Sequence, residues 1–333
     1  MAVMVTGGTG FVGLNLVHAL LERGEHVVVA ALDDIPAPAQ RAFAKLPGKV
    51  EAIRADIRDI TADPDAFAGV MKRHGVDRLF PFAAITSGPA READVPELVI
   101  QVNLLGFIAQ LRAARAAGVK RIIAPSSASA YGDAFFAHAL LNETDTPTIP
   151  NGVYGVTKYA VERSGLRLGE LWELDVIAAR IGSVFGPWER DTGLRDMIGP
   201  HHYLARLAVT GQEAVLPAAL PVQAWVYGPD VASGLLHLLD MKAPPHRVFN
   251  ICSGEMWGEV MLRWAETLAA RHPAFRWRRS ENEAEVNVRL TERRPRGRMD
   301  IARIQSTGWQ PSYGPEAAYA HYADWLSAYP DAL

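Results

Sequence analysis

MAVMVTGGTGFVG, residues 1–13, is the stretch that decides the fold of this chain. Its apolar run at residues 3–5 carries no charge, which is typical of a strand buried on both faces of a parallel sheet. Beyond the glycines, residues 14–23 repeat apolar side chains at helical spacing until Gly24 ends the pattern. The stretch therefore predicts a strand, a glycine-rich turn and a helix, in that order.

The three glycines of this turn, Gly7, Gly10 and Gly13, are spaced three residues apart. In a dinucleotide-binding turn the first glycine permits the sharp bend, the second lets the backbone approach a pyrophosphate, and the third lets the helix press against the sheet. The unpaired N–H groups at the helix start, near Phe11 and Val12, then face the phosphates. A tight turn also needs glycine for steric reasons alone, but the flanking strand and helix favour a dinucleotide site.

The composition of the chain is that of an ordinary globular enzyme. Its 333 residues exceed the usual size of one hydrophobic core and predict a large domain with a smaller lobe. A net charge of −3 gives no reason to expect nucleic acid or an anionic membrane as a partner, and the apolar runs are too short to span one. Because Met1 leads directly into the first strand, we expect a cytoplasmic protein. Cys252, the single cysteine, excludes an intrachain disulfide and follows an apolar segment typical of a buried strand.

Three further apolar segments before residue 90 predict buried strands, at residues 26–32, 50–55 and 78–82. Asp33 follows the first, where its carboxylate would bind the hydroxyls of the adenosine ribose and repel a 2′-phosphate, or instead cap the next turn. Asp56 and Ile57 follow the second and would contact the adenine or lie in a solvated loop. Ala83 and Ala84 follow the third, where small side chains allow close approach of a cofactor or simply tight packing.

Strand and helix patterns continue to alternate through the first half of the chain. Residues 96–117 carry apolar side chains at helical spacing, with Asn103 facing inward, where its amide needs a partner. The alternation predicts an α/β fold with a Rossmann-like, doubly wound parallel sheet, which binds ligands beyond the carboxyl ends of its strands. We predict an NAD(P)-binding domain at residues 1–180 joined by 222–250, a smaller C-terminal substrate lobe at 181–221 and 251–310, and a C-terminal helix at 311–333.

A Tyr–Lys pair and a group of serines supply the chemistry. Tyr154 and Lys158 are four residues apart in a predicted helix and therefore share one face. An ammonium beside the phenol favours the phenolate form, which can act as a general base toward an alcohol. A serine hydroxyl at the end of the fifth predicted strand can hydrogen-bond to the same substrate oxygen. A solvated surface pair is the alternative, but the nucleotide-binding half that precedes it favours a catalytic pair.

Several short motifs follow one another along nearly the whole chain. They are TGGTGFVG at 6–13, DIRD at 56–59, VN at 102–103, SSASAYG at 126–132, YGVTK at 154–158, FGP at 185–187, DVA at 230–232, RRP at 293–295 and GW at 308–309. In this combination the chain resembles the extended short-chain dehydrogenase/reductase family, and in particular its sugar-nucleotide epimerase and dehydratase branch.

The resemblance implies a Rossmann domain that holds NAD(P) and a smaller lobe over the active site. It implies that Tyr154 is the acid/base, that Lys158 activates it and binds the nicotinamide ribose, and that Ser127 is the hydroxyl partner. Asn103 would lie at the cofactor. Members of the family commonly dimerise by packing the helices that carry Asn103 and Tyr154 into a four-helix bundle, so we expect a homodimer.

The chain departs from the family pattern at positions that concern the cofactor and the reaction. Ala31 stands where the family has its ribose-binding Asp, and Asp33 comes two residues later, so NAD is expected while NADP stays open. Ala128 and Ser129 stand where 4,6-dehydratases carry an Asp–Glu pair, so dehydration is not expected. Cys252 is misplaced for a further acid/base, which confines the chemistry to one alcohol carbon.

Another departure concerns the grip on a nucleotide diphosphate. Ser183 and Gln223 stand where 4-epimerase members have an Asn and an Arg that hold the diphosphate. Losing a cation from such a clamp costs on the order of 2 kcal/mol. The RIGS segment that contains Ser183 also resembles the related uronate dehydrogenases, which oxidise free sugar acids. Cations that could replace the clamp are Arg190, Arg195, Arg206 and the retained Arg294.

The segment after Gly186 is rich in polar and aromatic side chains and is expected to line the substrate pocket. His201 and His202 are adjacent within it, but no carboxylate or cysteine at ligand spacing accompanies them, so we expect no metal site. The residues for which we expect substrate contact are Thr86, Ser129, Ser183, Trp188, Arg190, Arg195, His201 and Arg294.

The leading hypothesis is an NAD(P)-dependent oxidoreductase that transfers hydride at one secondary alcohol or ketone carbon of a sugar or sugar-acid-like substrate. The net reaction is oxidation if the ketone leaves, and epimerisation if the ketone turns and is reduced on its other face. The alternative is a nucleotide-sugar 4-epimerase that anchors an NDP-hexose through the other arginines. A third hypothesis is a cofactor-bound regulator without turnover, which the intact Ser–Tyr–Lys trio argues against.

Overall fold

The structure of the protein is a computed structural model that describes residues 1–220, 222–257, 260–288, 290 and 294–333. Arg293 of the RRP motif lies outside these residues. The strands are β1 Ala2–Thr6, β2 His26–Ala31, β3 Lys49–Arg54, β4 Val76–Pro81, β5 Arg121–Ser127, β6 Leu140–Leu141, β7 Asp175–Ile181, β8 Ser183–Phe185, β9 Ala214–Pro217, β10 Trp225–Tyr227, β11 Val248–Ile251, β12 Trp277–Ser280 and β13 Arg298–Met299.

Helices separate most of these strands. They are α1 Phe11–Glu22, α2 Ala37–Phe43, α3 Ile57–Ala62, α4 Pro64–Arg73, α5 Pro89–Asp94, α6 Pro96–Ile100, α7 Gly106–Ala117, α8 Ala134–Ala137, α9 Val153–Trp172, α10 Pro200–Val209, α11 Gly228–Asp240, α12 Val260–Arg271, α13 Ala302–Gln305 and α14 Pro315–Ala328. A π-helical segment, Gln101–Leu105, joins α6 to α7, and 3₁₀ turns lie at Ala128–Ala130 and Pro330–Ala332.

Seven strands form one parallel sheet in the order β11-β7-β5-β4-β1-β2-β3. β1 pairs with β2 on one side and with β4 on the other, so Val5 lies between Val29 and Phe80. From β1 the chain adds β2 and β3 on one side of the sheet and then crosses to add β4 on the other side. A crevice forms at this switch point, beyond the carboxyl ends of the strands. The doubly wound parallel sheet predicted from the sequence is confirmed.

Alternate residues of β1 enter two separate hydrophobic cores, which explains why its apolar run is unbroken. Val5 packs in one core with residues of α1 and α11, including Leu14 and Leu235. Met4 packs in the other core with residues of α4, α7 and α9, including Leu111. Helices therefore cover both faces of the sheet, and both faces of its central strand are dry.

Residues 96–117 form one continuous helical segment made of α6, the π-helical segment and α7. The segment ends at Gly118, which has a left-handed φ of +77°, as the sequence predicts. By length and composition it is apolar enough to cross a membrane, but half of its most apolar window is buried in the fold. It packs against α9 and α4 as a core helix does.

The chain after residue 182 builds a second packed region beside the sheet. β8 pairs with β10, and α10, α12 and α14 pack together around an aromatic cluster that contains Phe185, Trp264 and Tyr319. The same half of the chain also returns to the sheet, since β11 joins its edge beside β7 and α11 packs on α1. The division into domains at the limits given above stays a prediction.

Candidate functional site

A cavity of about 880 Å³ opens at the carboxyl ends of the sheet strands. Most of the residues proposed from the sequence line it: Gly7, Gly10, Phe11, Val12, Gly13, Asp33, Asp56, Ile57, Ala83, Ala84, Thr86, Ser127, Ser129, Tyr154, Lys158, Ser183, Arg190, Arg195 and Arg294. Asn103, Trp188 and His201 lie outside this lining. The topology of the sheet therefore brings segments far apart in sequence to one site.

The turn between β1 and α1 has a backbone that no larger side chain would allow. Gly7 has a φ of +63°, and a Cβ at Gly13 would lie 2.5 Å from the carbonyl oxygen of Gly7. Gly10 precedes α1 without any side-chain cap, so the first N–H groups of the helix stay available at the cavity wall. This cradle of donors and positive dipole fits the pyrophosphate of a dinucleotide.

Two carboxylates lie at the end of the cavity formed by β2 and β3. Asp33 is exposed at the end of β2, two residues beyond Ala31. Asp56 caps α3, because its carboxylate accepts a hydrogen bond of 2.8 Å from the backbone N–H of Arg58. Hydrogen bonds from the Arg58 guanidinium hold the pKa of Asp56 below its ordinary value, so this carboxylate is charged.

Ser127, Tyr154 and Lys158 meet where β5 ends and α9 begins. The Nζ of Lys158 lies 5.6 Å from the centroid of the Tyr154 ring, and the Lys158 side chain is only 5% exposed. Ser127 Oγ accepts a 3.1 Å hydrogen bond from the N–H of Ser129, which fixes the serine hydroxyl at the cavity wall.

Glu92, which the sequence analysis missed, holds the start of the helix that carries Tyr154. Its Oε1 accepts hydrogen bonds from the backbone N–H of Tyr154 at 2.9 Å and from the hydroxyl of Ser87 at 3.0 Å. A carboxylate at a helix N-terminus satisfies free N–H groups and complements the helix dipole. The local N-cap residue is Gly152, which has no side chain, so no local motif could have revealed this distant cap.

A buried ion pair one helical turn beyond Lys158 was also missed. Glu162 and Arg180 are 1% and 5% exposed, and Arg180 Nη2 lies 2.7 Å from Glu162 Oε1. The hydroxyl of Ser126 donates to Glu162 Oε2 at 2.9 Å. Burial lowers the pKa of Arg180, but the hydrogen bonds and charge of Glu162 outweigh it and raise the pKa overall. The pair fixes α9 against β5 and β7.

Asn103, which was predicted to lie at the cofactor, is buried just outside the cavity lining. It is 3% exposed, its Oδ1 accepts from the N–H of Ile85 at 2.8 Å, and its Nδ2 donates to the Ile85 carbonyl at 2.9 Å and to Thr157 Oγ1 at 3.1 Å. The inward-facing amide does have partners, as expected, but they belong to the protein. Asn103 ties the loop after β4 to α9, and its contact with a cofactor stays a prediction.

Trp188 and His201, two of the predicted substrate contacts, are buried outside the cavity lining. Trp188 is 2% exposed and packs edge-on against Trp325, with ring centroids 4.8 Å apart. His201 is fully buried and stacks on Phe185 at 4.2 Å, and burial lowers its pKa well below the ordinary value, so the ring is neutral. The aromatic side chains after Gly186 fill the core of the second packed region because they carry the largest apolar area there.

Arg190 and Arg195, two of the predicted substrate contacts, line the cavity beside the glycine turn. Arg190 Nη2 donates to the carbonyl of Thr9 at 2.8 Å. The Arg195 guanidinium lies 5.2 Å from the Phe11 ring centroid and 3.1 Å from a carboxylate oxygen of Glu189, which is fully buried. Burial raises the pKa of Glu189, and the charge of Arg195 opposes that rise.

The other end of the cavity is polar and aromatic. Thr86 lies at its wall, where its N–H donates to the Leu194 carbonyl at 2.9 Å. Ser129 and Ser183 face the same space, and the Arg294 guanidinium lies 3.7 Å from the Phe136 ring centroid.

Gln223, which stands where 4-epimerase members have a clamp Arg, and Arg206, which was offered as a replacement, lie outside the cavity lining. Gln223 is 9% exposed and its backbone pairs with Trp257. Arg206 is exposed and lies over the Tyr203 ring.

Comparison with known proteins identifies the family. The model of the NAD dependent epimerase/dehydratase family matches residues 3–252. Sterol demethylase protein B from Methylococcus capsulatus is 35% identical over 199 residues, and the alignment covers 57% of this chain and about half, 53%, of that protein. UDP-glucose 4-epimerase from Streptomyces lividans is 26% identical over 98% of this chain and 96% of that protein.

Among solved structures, UDP-glucose 4-epimerase from Thermotoga maritima, determined with UDP-glucose, superposes with a TM-score of 0.78. The match covers 99% of this chain and 100% of that chain at 21% identity, and it supports the fold. The family match extends over most of the sheet and the whole Ser–Tyr–Lys region. The resemblance predicted from the motifs is thus confirmed, and the chain belongs to the NAD-dependent epimerase/dehydratase family.

Proposed function

We propose that this protein is an NAD-dependent 4-epimerase that inverts one alcohol carbon of a nucleotide sugar. The observation that carries the proposal is that the Tyr154–Lys158 pair and the glycine cradle open into one cavity. UDP-glucose 4-epimerases among its relatives favour a nucleotide sugar over the free sugar or sugar acid of the leading hypothesis. These relatives also favour epimerisation, in which the hydride returns to the keto sugar, over oxidation, in which the ketone is released.

Residues at one end of the cavity would hold the cofactor. The α1 N-terminus at Gly10 would bind the pyrophosphate, Asp33 the adenosine ribose, and Ala83 would leave room for close approach. When bound, NAD supplies the hydride acceptor and later the hydride donor. Asp33 carries a charge that disfavours a 2′-phosphate, which supports NAD as the cofactor.

The chain's own catalytic groups would move the proton of the reacting hydroxyl. The phenol oxygen of Tyr154 would accept that proton as the alcohol is oxidised and give it back as the ketone is reduced. Lys158 would stabilise the negative charge that Tyr154 carries before it accepts the proton and again after it has returned it, and the Ser127 hydroxyl would donate a hydrogen bond to the substrate oxygen. Turning of the keto sugar between the two steps would expose its other face, and the polar end of the cavity gives it room.

The experiment that tests this proposal combines a substrate panel with the Tyr154→Phe variant. With NAD present in substoichiometric amounts, NMR should detect conversion of UDP-hexoses to their 4-epimers. Tyr154→Phe should lower turnover on the order of 100- to 10,000-fold. Tyr159→Phe is the matched control, since Tyr159 lies on the same helix outside the cavity lining and should leave turnover unchanged. Turnover of Tyr154→Phe within a few-fold of wild type would refute the assignment.

A second candidate, oxidation of a sugar without a nucleotide, is supported by the replacement of two residues that hold the diphosphate in 4-epimerase members. Ser183 faces the cavity where 4-epimerase members carry Asn, and Gln223 lies outside the lining. Calorimetry with UDP, GDP and dTDP separates the candidates. Binding of one nucleotide supports the epimerase, whereas absence of binding together with stoichiometric reduction of NAD by sugar acids supports the oxidoreductase.

We also propose that the protein is a homodimer built on its 96–117 and α9 helices. Ile100 and Leu105 on the first and Val156 on the second are 41%, 47% and 50% exposed, and apolar side chains of this size on neighbouring helices fit an interface between copies. Light scattering coupled to size-exclusion chromatography measures the mass, and a Leu105→Lys variant should shift it to the monomer. The cytoplasmic location stays a prediction.

A further inference from the structure

The guanidinium of Arg190 reaches from the second packed region onto the glycine turn. Its Nη2 donates to the carbonyl of Thr9, at 2.8 Å, and Thr9 lies between Gly7 and Gly10 in the cradle. Arg190 lines the cavity and is half-buried. A guanidinium has five N–H donors in a planar fork, and this is the one hydrogen bond recorded for Arg190 among the described residues. Most of its donors are therefore left for a ligand.

The charge of Arg190 lies between the cradle and the carboxylate of Asp33. Burial lowers the pKa of Arg190, and the negative charge of Asp33 opposes that effect. The cradle is the place for the pyrophosphate and the end of β2 is the place for the adenosine ribose. Arg190 thus lies beside the adenosine half of the cofactor site.

The segment that carries Arg190 is held in place by hydrogen bonds and ion pairs within the protein. The buried carboxylate of Glu189 accepts from the N–H of Gly199 at 2.8 Å and pairs with Arg195. Asp196 accepts from the N–H of Gly88 at 2.9 Å and from the guanidinium of Arg91. A side chain placed in advance loses little freedom on binding, so more of its interaction contributes to affinity.

We propose that Arg190 binds phosphate on the adenosine half of the cofactor, a role additional to the glycine cradle. A planar guanidinium pairs with phosphate through two parallel charge-assisted hydrogen bonds, which the flexible point charge of a lysine matches less well. Two phosphates lie within this half: the pyrophosphate, common to NAD and NADP, and the 2′-phosphate of NADP alone. The inference rests on the proposed binding of NAD, and it makes Arg190 a cofactor ligand supplied by the second packed region.

Titration calorimetry with NADH, NADPH and adenosine, without any sugar, tests the proposal on the full-length protein. Arg190→Gln should weaken NADH binding on the order of 10- to 100-fold and leave adenosine binding unchanged, because adenosine has no phosphate. Arg190→Lys should retain part of the affinity. The matched control is Arg206→Gln, which removes an exposed arginine outside the cavity and should change nothing.

The outcomes distinguish the pyrophosphate from the 2′-phosphate, and failure of this inference from failure of the proposed function. Loss for both dinucleotides assigns the pyrophosphate, and loss for NADPH alone assigns the 2′-phosphate. Equal affinities of Arg190→Gln and wild type for both dinucleotides would overturn the inference while the cofactor site stands. If wild-type protein binds neither dinucleotide, the proposed function itself fails. Thermal unfolding of the ligand-free variants checks that each is folded, and reduced salt dependence of NADH binding in Arg190→Gln is a second expected signature.

Discussion

Replacement of Glu162 by Gln is expected to destabilise the fold by about 3–5 kcal/mol, because it leaves the buried Arg180 without its counter-charge. Arg180 is 5% exposed and its Nη2 lies 2.7 Å from Glu162 Oε1, so water cannot compensate for the lost charge. The buried Nη1 of Arg180 already has no hydrogen-bond partner among the described residues. The hydroxyl of Ser126, which donates to Glu162 Oε2, also loses a charged acceptor.

A surface pair provides the control for this variant. Glu170 pairs with Arg167 at 3.1 Å, three residues apart on the same helix, but the two side chains are 71% and 67% exposed. Glu170→Gln is therefore expected to cost no more than about 0.5 kcal/mol. Urea unfolding followed by circular dichroism gives both values from the midpoint and slope. A loss for Glu162→Gln below about 1 kcal/mol, close to that of the control, would refute the claim that the buried pair anchors α9.

Three more outcomes are expected. Gly13→Ala places a Cβ 2.5 Å from a backbone oxygen and should cost about 1–3 kcal/mol in urea unfolding, whereas Gly69→Ala, whose Cβ would lie 3.7 Å from its nearest neighbour, should not destabilise. Glu92→Ala removes the carboxylate that caps the Tyr154 helix and should lower the free energy of unfolding by about 1 kcal/mol. Glu92→Gln should keep part of the activity, and equal activities of the two variants would contradict the capping role. Burial lowers the pKa of His202 to about 4, so the native state resists protonation and the unfolding free energy falls by about 3 kcal/mol as the pH drops from about 6.5 to 4. His202→Gln should flatten that part of the stability–pH curve. An unchanged curve would contradict the assignment of this pH dependence to His202.

The parts of the fold that the sequence predicts are those that depend on local pattern. The apolar run of β1, the glycine turn and the helix after it each follow from neighbouring residues, and the structure has them where the spacing puts them. The helix from 96 to 117 and its stop at Gly118 follow in the same way. Steric limits at Gly7 and Gly13 act within a few residues, so a motif can encode them.

The contacts that the sequence does not reveal join residues far apart in the chain. The amide of Asn103 required a partner, but that partner is the backbone of Ile85, and only the packed loop determines it. Glu92 caps a helix that begins 61 residues later, so no capping pattern is visible in the sequence. Trp188 lies in a polar and aromatic segment of the kind that lines pockets. It is buried because it packs against an aromatic core, which includes Trp325, and the sequence does not show that contact.

The π-helical segment at residues 101–105 sets the rotational phase between the two halves of its helix. Each residue of an α-helix turns the chain by about 100°, and a π turn accommodates one residue more than an α turn. Asn103 lies inside this wide turn and reaches both Ile85 and Thr157. Deleting a single residue here would restore α-helical geometry and rotate the Asn103 amide about the helix axis by about a quarter-turn. The number of residues in this short segment, more than its composition, therefore keeps the loop after β4 aligned with the helix that bears Tyr154.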